Sequence, residues 1–391
     1  MPFRAEVASE MTTSNAPKIV IYTQSLMERS MTFIRSHAEA LRSHVAVYAG
    51  AHRVAGLALP PERSVCVNEG GVFGVVAELL FRQMAIAPAF LRKLKRMAPV
   101  AVHAHFGDSG PAGLTIARAL GVPLIITFHG RDATITDEQA ARSWRGREFL
   151  KRRVQLIAET DCVIAVSNFI RNRLLQQGFD GTRIVTHYNG IDTESFVPEP
   201  RDRESFVLFV GRFVEKKGCR YLLEALARLK QAGDDVRAVL IGDGPLRPEL
   251  EAFARQQGLH AEFVGFLASD GVIRWMNRAM IVVVPSVTAP DGDSEGLPTV
   301  ILESQAMSTP VVATAHSGIP EGVMPDESAL LVPERDAGGL ASAIRTLIQD
   351  PGRSRRMGEA GRRFVQQKFS ITTQVAGLER IYERVRRGLH E

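Results

Sequence analysis

Short apolar runs alternate with amphipathic stretches along almost the whole chain. The runs are continuous rather than alternating, which is typical of strands buried on both faces of a parallel sheet. The stretches between them, such as GCRYLLEALARLKQAG, repeat apolar residues at helical spacing. The predicted strands are KIVIYT (18–23), HVAVYAG (44–50), VAVHAHF (100–106), PLIITFHG (123–130), CVIAVS (162–167), SFVLFVG (205–211), RAVLIG (237–242), AEFVGF (261–266), MIVVVPS (280–286), TPVVAT (309–314) and ALLVPE (329–334).

A charged, proline-containing segment, VPEPRDRES, interrupts this alternation and reads as a linker. We therefore predict an α/β protein with two Rossmann-like, doubly wound domains, at residues 1–195 and 206–370, joined by a linker at 196–205. Residues 371–391 contain one further amphipathic helix. Ligands of such folds bind at the carboxyl ends of the strands, and the two edges can face each other across a cleft.

Composition restricts the class of protein. The chain of 391 residues is 45% apolar and 23% charged, as in ordinary globular proteins. No apolar run approaches the ~20 residues that cross a bilayer, and the polar N-terminus lacks a signal core, so we expect a cytoplasmic protein. The three cysteines are widely spaced, which argues against a disulfide framework or a structural zinc site.

The net charge of +5 comes from the first half of the chain, where 23 Lys and Arg face 18 Asp and Glu. The excess is densest at 82–153, with 13 basic and 5 acidic residues. Solvated helix faces would explain it, and so would a surface for anionic lipids, because apolar residues interleave with the basic ones there (Phe90, Leu91, Leu94, Trp144, Phe149 and Leu150). No reader motif accompanies the charge, so we expect no nucleic-acid partner.

Two turns of the second domain have the composition of phosphate sites. After the strand that ends near Gly211, Arg212 and Lys217 bracket a turn at the sheet edge, where they could hold a diphosphate. The next strand leads into Gly242 and Gly244, which would let a ligand approach the backbone closely. An ordinary exposed turn would explain either feature equally well.

The stretch SEGLPTVILES (294–304) combines carboxylates with a predicted helix start. Pro298 suits the first helical position, where free backbone N–H groups form an anion site. Glu295 would project into the cleft just before this corner. Glu303 follows among apolar residues, where an unpaired carboxylate is costly and ligand hydroxyls would be suitable donors.

In order and spacing, the motifs GRFVEKKG, IGDGPL, FVGF, VPS, SEGLPTVILES and SGIPE resemble those of the retaining glycosyltransferases of family four, which have the GT-B fold. The resemblance implies that Arg212 and Lys217 hold the donor diphosphate, that Glu295 binds sugar hydroxyls and that Glu303 binds the ribose. It also implies donor contacts from Gly211, Gly242, Gly244, Gly265, Phe266, Gly296, Leu297, Pro298, Thr299 and Val300.

In the first domain, TFHGRD (127–132) matches the family's His-Gly strand end. By this resemblance His129 lies near the reacting bond, while Phe106, Arg131 and Asp132 shape the acceptor side of the cleft. A buried structural histidine is the alternative for a lone His on an apolar strand. The terminal helix is expected to cross back onto the first domain.

Two features depart from the simplest form of the family. The segment 23–33 lacks the Gly-Gly turn that many members carry near the donor phosphate. Its SxTFI piece, with Ser30, Thr32 and Phe33, is similar to that of members that build bacterial exopolysaccharides of the colanic-acid type. The DGD at 291–293 looks like a metal motif of another glycosyltransferase fold, but we expect a flexible loop, no metal and no cofactor, because cations and a helix N-terminus already supply positive charge.

The sequence therefore predicts a retaining, metal-independent hexosyltransferase. Its partners would be a UDP- or GDP-sugar and a glycan or lipid-linked glycan acceptor in bacterial surface polysaccharide synthesis, at the inner face of the membrane. Another GT-B enzyme, a nucleotide-sugar epimerase or a phosphorylase, is the nearest alternative. A non-catalytic, basic, membrane-associated binding protein is the alternative from another class. A nicotinamide oxidoreductase is disfavoured, since neither half has G-x-G-x-x-G after its first strand.

Overall fold

A computed structural model describes residues 16–199 and 203–388 of the chain. The polar N-terminal segment on which the localisation was based and the middle of the predicted linker lie outside these residues. Two parallel sheets account for all the strands in the described part, which confirms the predicted α/β class.

The first sheet has seven strands in the order β3-β2-β1-β4-β5-β6-β7. Branched and small apolar residues fill its central strands, which are almost fully buried because helices cover both faces. The chain order reverses between β1 and β4, so the carboxyl ends of these strands form the crevice where ligands of doubly wound folds bind. Its strands are β1 Lys18–Leu26, β2 Val45–Arg53, β3 Ser64–Asn68, β4 Pro99–His105, β5 Leu124–Phe128, β6 Cys162–Ala165 and β7 Ile184–Thr186.

The second sheet has six strands in the order β10-β9-β8-β11-β12-β13, and its chain order reverses between β8 and β11. Apolar side chains on its two faces form two separate core clusters, each covered by helices. Its strands are β8 Glu204–Val210, β9 Arg237–Ile241, β10 Ala261–Gly265, β11 Ala279–Val284, β12 Val311–Thr314 and β13 Ala329–Val332.

The helices of the described residues connect successive strands or cover the sheets. Eight lie before β8 and seven after it. They are α1 Thr32–Glu39, α2 Gly71–Met84, α3 Pro88–Arg96, α4 Gly110–Leu120, α5 Arg131–Thr134, α6 Asp137–Ala140, α7 Trp144–Glu159, α8 Asn168–Gln176, α9 Cys219–Gln231, α10 Arg247–Gln256, α11 Ser269–Arg278, α12 Thr299–Ala306, α13 Ala337–Gln349, α14 Pro351–Lys368 and α15 Ile371–Arg386.

The last helix, α15, packs on the first sheet rather than on the second. Its apolar residues Leu378, Ile381 and Tyr382 are buried against strands β1, β2 and β4. The Tyr382 hydroxyl lies 2.8 Å from Nδ1 of His103 on β4. The chain thus crosses between the sheets a second time after α14.

Some sequence-based details were wrong. The strands β3 and β7 were not predicted, and β1 continues three residues beyond Thr23 because its backbone stays paired with β2. Pro298 precedes α12 rather than beginning it, since its ψ of 121° is extended and Thr299 is the first helical residue. The cysteines are free and buried, as expected.

Candidate functional site

The turn after β5 contacts the segment that follows β11, so the carboxyl edges of the two sheets meet. A Cβ added to Gly296 would lie 2.2 Å from the His129 carbonyl oxygen, and one added to Gly130 would lie 3.1 Å from Gly296 N. Gly130 also has a φ of +154°, at the limit of the region that favours glycine. Glycine at both positions therefore allows the backbones of the two edges to approach this closely.

Glu295 forms an ion pair at the centre of this edge. Its Oε1 lies 2.7 Å from Lys217 Nζ, and only 9% of the Glu295 side chain is exposed. Burial alone would raise the pKa of Glu295, but the charges of Lys217 and then Lys216 outweigh it and hold that pKa below its ordinary value. Glu295 is therefore a carboxylate at neutral pH.

The DGD segment forms ion pairs with residues of both domains. Arg131 donates to Asp291 at 2.9 Å and to Asp293 at 3.2 Å, and Lys216 lies 2.9 Å from Asp293 Oδ1. Thr136 also donates its backbone N–H to the Asp291 carbonyl oxygen. The expected flexible loop is thus held in place, because each carboxylate has a cationic partner. No cluster of His, Cys, Asp and Glu with metal-binding geometry occurs in residues 16–199 and 203–388.

Arg212 projects into a large cavity between the two sheet edges. The cavity has a volume of about 660 Å³, and Arg131, Arg142 and Arg145 also line it. The Arg212 side chain is exposed and, within the described chain, has no ion-pair partner. An unpaired guanidinium facing an open cavity is available to clamp an anion with two oxygens.

His129 lies at the end of β5 among aromatic rings. The ring centroid of Phe106 is 4.8 Å away and that of Phe33 is 5.0 Å away. Nε2 of His129 is 3.0 Å from Nδ1 of His105, whereas its own Nδ1 is buried without a hydrogen-bond partner. Burial lowers the pKa of His129 to about 3, so the ring is neutral at pH 7 and has one nitrogen free for a ligand.

Asp132 organises this turn through the backbone. It accepts hydrogen bonds from the N–H groups of Gly107, His129 and Gly130 at 2.8–3.3 Å. Burial raises the pKa of Asp132 to about 6, even though those hydrogen bonds favour the carboxylate. Phe106 reaches the cavity with a φ of +70°, a conformation that is strained for an aromatic residue.

The predicted phosphate turns pack against each other. A Cβ on Gly242 would lie 1.9 Å from the Gly211 carbonyl oxygen, and one on Gly244 would lie 2.5 Å from the Phe213 carbonyl oxygen. Close packing of the two turns is therefore a sufficient reason for both glycines. Helix α10 begins at Arg247, three residues after Gly244.

Strand order places the remaining predicted donor residues along one edge. Phe266, 63% exposed, follows Gly265 at the end of edge strand β10, two strands from Arg212 at β8. Leu297 and Val300 are buried in the core, so only their backbone could reach a ligand. Glu303, the fifth residue of α12, is partly buried, and burial raises its pKa to about 7.

The segment 23–33 partly lines the cleft. Ser30 borders the large cavity and Phe33 contacts His129, whereas Thr32 begins α1 and is exposed. Three of the six apolar residues that interleave with the basic ones are turned away from the surface. Phe90, Leu94 and Phe149 are buried because they form the apolar face by which α3 and α7 pack on the sheet.

Sequence reasoning missed a series of buried hydrogen bonds that starts at the backbone of Glu295. Nε2 of His316 accepts the Glu295 backbone N–H at 3.3 Å, and Nδ1 lies 2.7 Å from Glu334, so the proton is on Nδ1. The sequence signal for this contact was His316, the polar residue directly before the SGIPE motif. It also missed Lys216 and His105, although His103 and His105 alternate along β4 and must share one face.

Comparisons with known proteins identify the family. The family described as Glycosyl transferases group 1 matches residues 190–364, and Glycosyltransferase Family 4 matches residues 27–195. The chain is 35% identical over 260 residues to WcaL of Escherichia coli, which is named for colanic acid biosynthesis; the match spans 63% of this chain and 61% of the relative. It is 31% identical over 288 residues to the amylovoran biosynthesis glycosyltransferase AmsK of Erwinia amylovora, covering 72% and 69% of the two chains.

Solved structures agree on the fold. The crystal structure of HepE from Anabaena in complex with UDP has a TM-score of 0.74 to this chain at 20% identity, covering 94% of this chain and 99% of that one. Sucrose-phosphate synthase from Thermosynechococcus elongatus has a TM-score of 0.75 at 21% identity, with the same coverage. The fold is therefore GT-B, and the chain belongs to the group 1, family-four glycosyltransferases.

Proposed function

We propose that this enzyme is a retaining, metal-independent hexosyltransferase in bacterial surface polysaccharide synthesis. It would move a hexosyl unit from a UDP- or GDP-sugar to a glycan or lipid-linked glycan at the cytoplasmic face of the membrane. The names of WcaL and AmsK support the pathway, and the UDP complex of HepE supports the donor class.

One observation carries the proposal: the unpaired Arg212 and the Lys217–Glu295 pair lie at neighbouring strand ends, opposite His129. Cleavage of the sugar–phosphate bond places negative charge on the departing diphosphate. Arg212, Lys217 and the backbone N–H groups at the start of α12 would stabilise that charge.

The carboxylates support a same-face substitution without a covalent enzyme intermediate. Glu295 is paired with Lys217, which makes its carboxylate a weak nucleophile. The carboxylate is better suited to accept hydrogen bonds from sugar hydroxyls. His129 is neutral and can exchange a hydrogen bond with the transferred sugar through its free nitrogen. The leaving phosphate would then take the proton of the acceptor hydroxyl.

Arg212→Ala tests the proposal, with Arg228→Ala as the control because Arg228 is an exposed arginine on α9 of the same domain. Calorimetry with UDP, GDP and ADP should give tight binding of one diphosphate to wild type and to the control. Arg212→Ala should lower the transfer rate about a hundredfold or more. Equal rates in all three proteins, no diphosphate binding, donor turnover without acceptor or a requirement for inorganic phosphate would refute it.

A further inference from the structure

Exposed apolar side chains concentrate on one helix of the first domain. Of the thirteen large hydrophobic side chains exposed among the described residues, eight lie between Val72 and Ile86, on or just after α2. Phe73 is 92% exposed and Val72 is 78% exposed. A cluster this dense is uncommon on a soluble surface and marks an interaction site.

The distribution of polar and apolar side chains on α2 is the reverse of that on an ordinary surface helix. Its inner side carries Glu78, which pairs with Arg82 and with His52, and the buried Gly74 and Phe81. Its exposed positions hold no charged side chain. An ordinary surface helix turns its apolar stripe inward, so the outer face of α2 is shaped for an apolar surrounding.

The next helix supplies positive charge. The axes of α2 and α3 differ by 88°, and α3 buries Phe90 and Leu94 while exposing basic side chains (Arg92, Lys93, Lys95 and Arg96). The nearby Glu69 is paired with Arg53 and Lys93. Within the described chain no single helix is long and apolar enough to cross a bilayer, although α2 and α3 together reach the required length and composition.

We propose that the outer face of α2 and the basic face of α3 dock the first domain into the headgroup region of an anionic phospholipid bilayer. Apolar side chains would enter the acyl boundary while the cations meet lipid phosphates. A second copy of the chain fits less well, because symmetric pairing would bring two cationic α3 helices into one interface.

The inner side of α2 lies close to the cleft, which gives docking by its outer face a role in the proposed function on which this step rests. The Arg82 guanidinium stacks 4.5 Å from the Trp144 ring, and both border a small cavity with Asp108 and Arg145. Asp108 and Arg145 also line the large cleft cavity. A lipid-linked acceptor could therefore enter the cleft from the bilayer surface beside α2.

Vesicle co-sedimentation of the full chain tests the docking. Binding to vesicles of phosphatidylcholine alone measures the apolar contribution to docking. The additional binding to vesicles that also contain phosphatidylglycerol measures the contribution of charge. Wild type should bind the anionic vesicles, and more weakly as salt rises. Phe73→Asp with Leu79→Asp should lower the bound-to-free ratio at least about tenfold, since two apolar side chains no longer leave water.

Matched variants make the result specific. Val154→Asp, on the 79%-exposed Val154 of α7, should bind like wild type. Lys95→Glu with Arg96→Glu should lower anionic binding at least about fivefold per residue, because each change removes a positive charge and adds a negative one. No binding by wild type, an unchanged ratio in the α2 variant or an equal loss in Val154→Asp would overturn the proposal.

Two controls separate the outcomes. Self-association that Phe73→Asp abolishes, without vesicle binding, would overturn bilayer docking in favour of a second copy. Nucleoside-diphosphate affinity measured without vesicles should be the same in wild type and the α2 variant. For the wild type, nucleotide binding without vesicle binding overturns only the docking, whereas vesicle binding without any nucleotide binding overturns the proposed function.

Discussion

Glu303 gives the sharpest test of the donor site. It is partly buried beside Thr299 and Lys217, and burial raises its pKa to about 7. At pH 7 the carboxyl group is therefore about half protonated. Two ribose hydroxyls can donate to separate carboxylate oxygens only in the deprotonated form, because protonation turns one of these oxygens into a donor. Nucleotide binding should thus release about half a proton at pH 7, and affinity should fall about tenfold per pH unit below about pH 6.

Calorimetry in buffers of different ionisation enthalpy measures the released protons directly. Glu303→Gln should bind the nucleoside diphosphate more weakly, and its proton release near neutrality should fall to that of the terminal phosphate alone, whose second pKa is about 6. Glu295→Gln is the matched control, since the pKa of Glu295 lies below its ordinary value and this carboxyl group has no proton to release at pH 7. An identical proton release in wild type and Glu303→Gln would refute the assignment of the ribose to Glu303.

Three further variants probe the cleft. Gly296→Ala places a Cβ 2.2 Å from the His129 carbonyl oxygen, so the transfer rate should drop while nucleotide affinity measured by calorimetry persists. Lys217→Met removes the cationic partner of Glu295 and should lower the unfolding free energy by about 2 kcal/mol in urea titrations, the value of a hydrogen bond between charged groups. That contribution is present above pH 4.5 and is lost as the pH falls through the lowered pKa of Glu295. His105→Gln frees the His129 ring and should lower kcat without changing nucleotide affinity. Because the pKa of His129 is about 3, the wild-type rate should show no inflection from this group between about pH 5 and 8.

Buried strands were predictable because parallel strands covered on both faces have continuous apolar sequences. The two missed strands are those at the edges of the first sheet, β3 and β7. Edge strands pair on one side only, and SVCVN and IVT are too short and too mixed to stand out from loop sequence. The α2 surface was also missed, since periodicity alone cannot tell an outward apolar face from an inward one.

The placement of candidate site residues was predictable where a motif follows a predicted strand. Arg212, Lys217 and Glu295 lie along one sheet edge because strand ends of a parallel sheet share that edge. Contacts between distant segments were not predictable. Nothing local relates Arg131 to Asp293, 162 residues away, or Glu295 to His316, because these pairings depend on how two separately folded edges meet.

The charge balance of the cleft indicates how it accepts a ligand. Lys216 and Lys217 are neutralised by Asp293 and Glu295, so Arg212 is the cation of the turn after β8 that has no carboxylate partner among the described residues. A diphosphate that approaches Arg212 also approaches Lys217, and a doubly charged phosphate competes strongly with one carboxylate for that ammonium. We infer that donor binding exchanges the partner of Lys217 and frees Glu295 for sugar hydroxyls. If so, Lys217→Met must weaken diphosphate binding as well as stability, whereas a purely structural pair would lose stability alone.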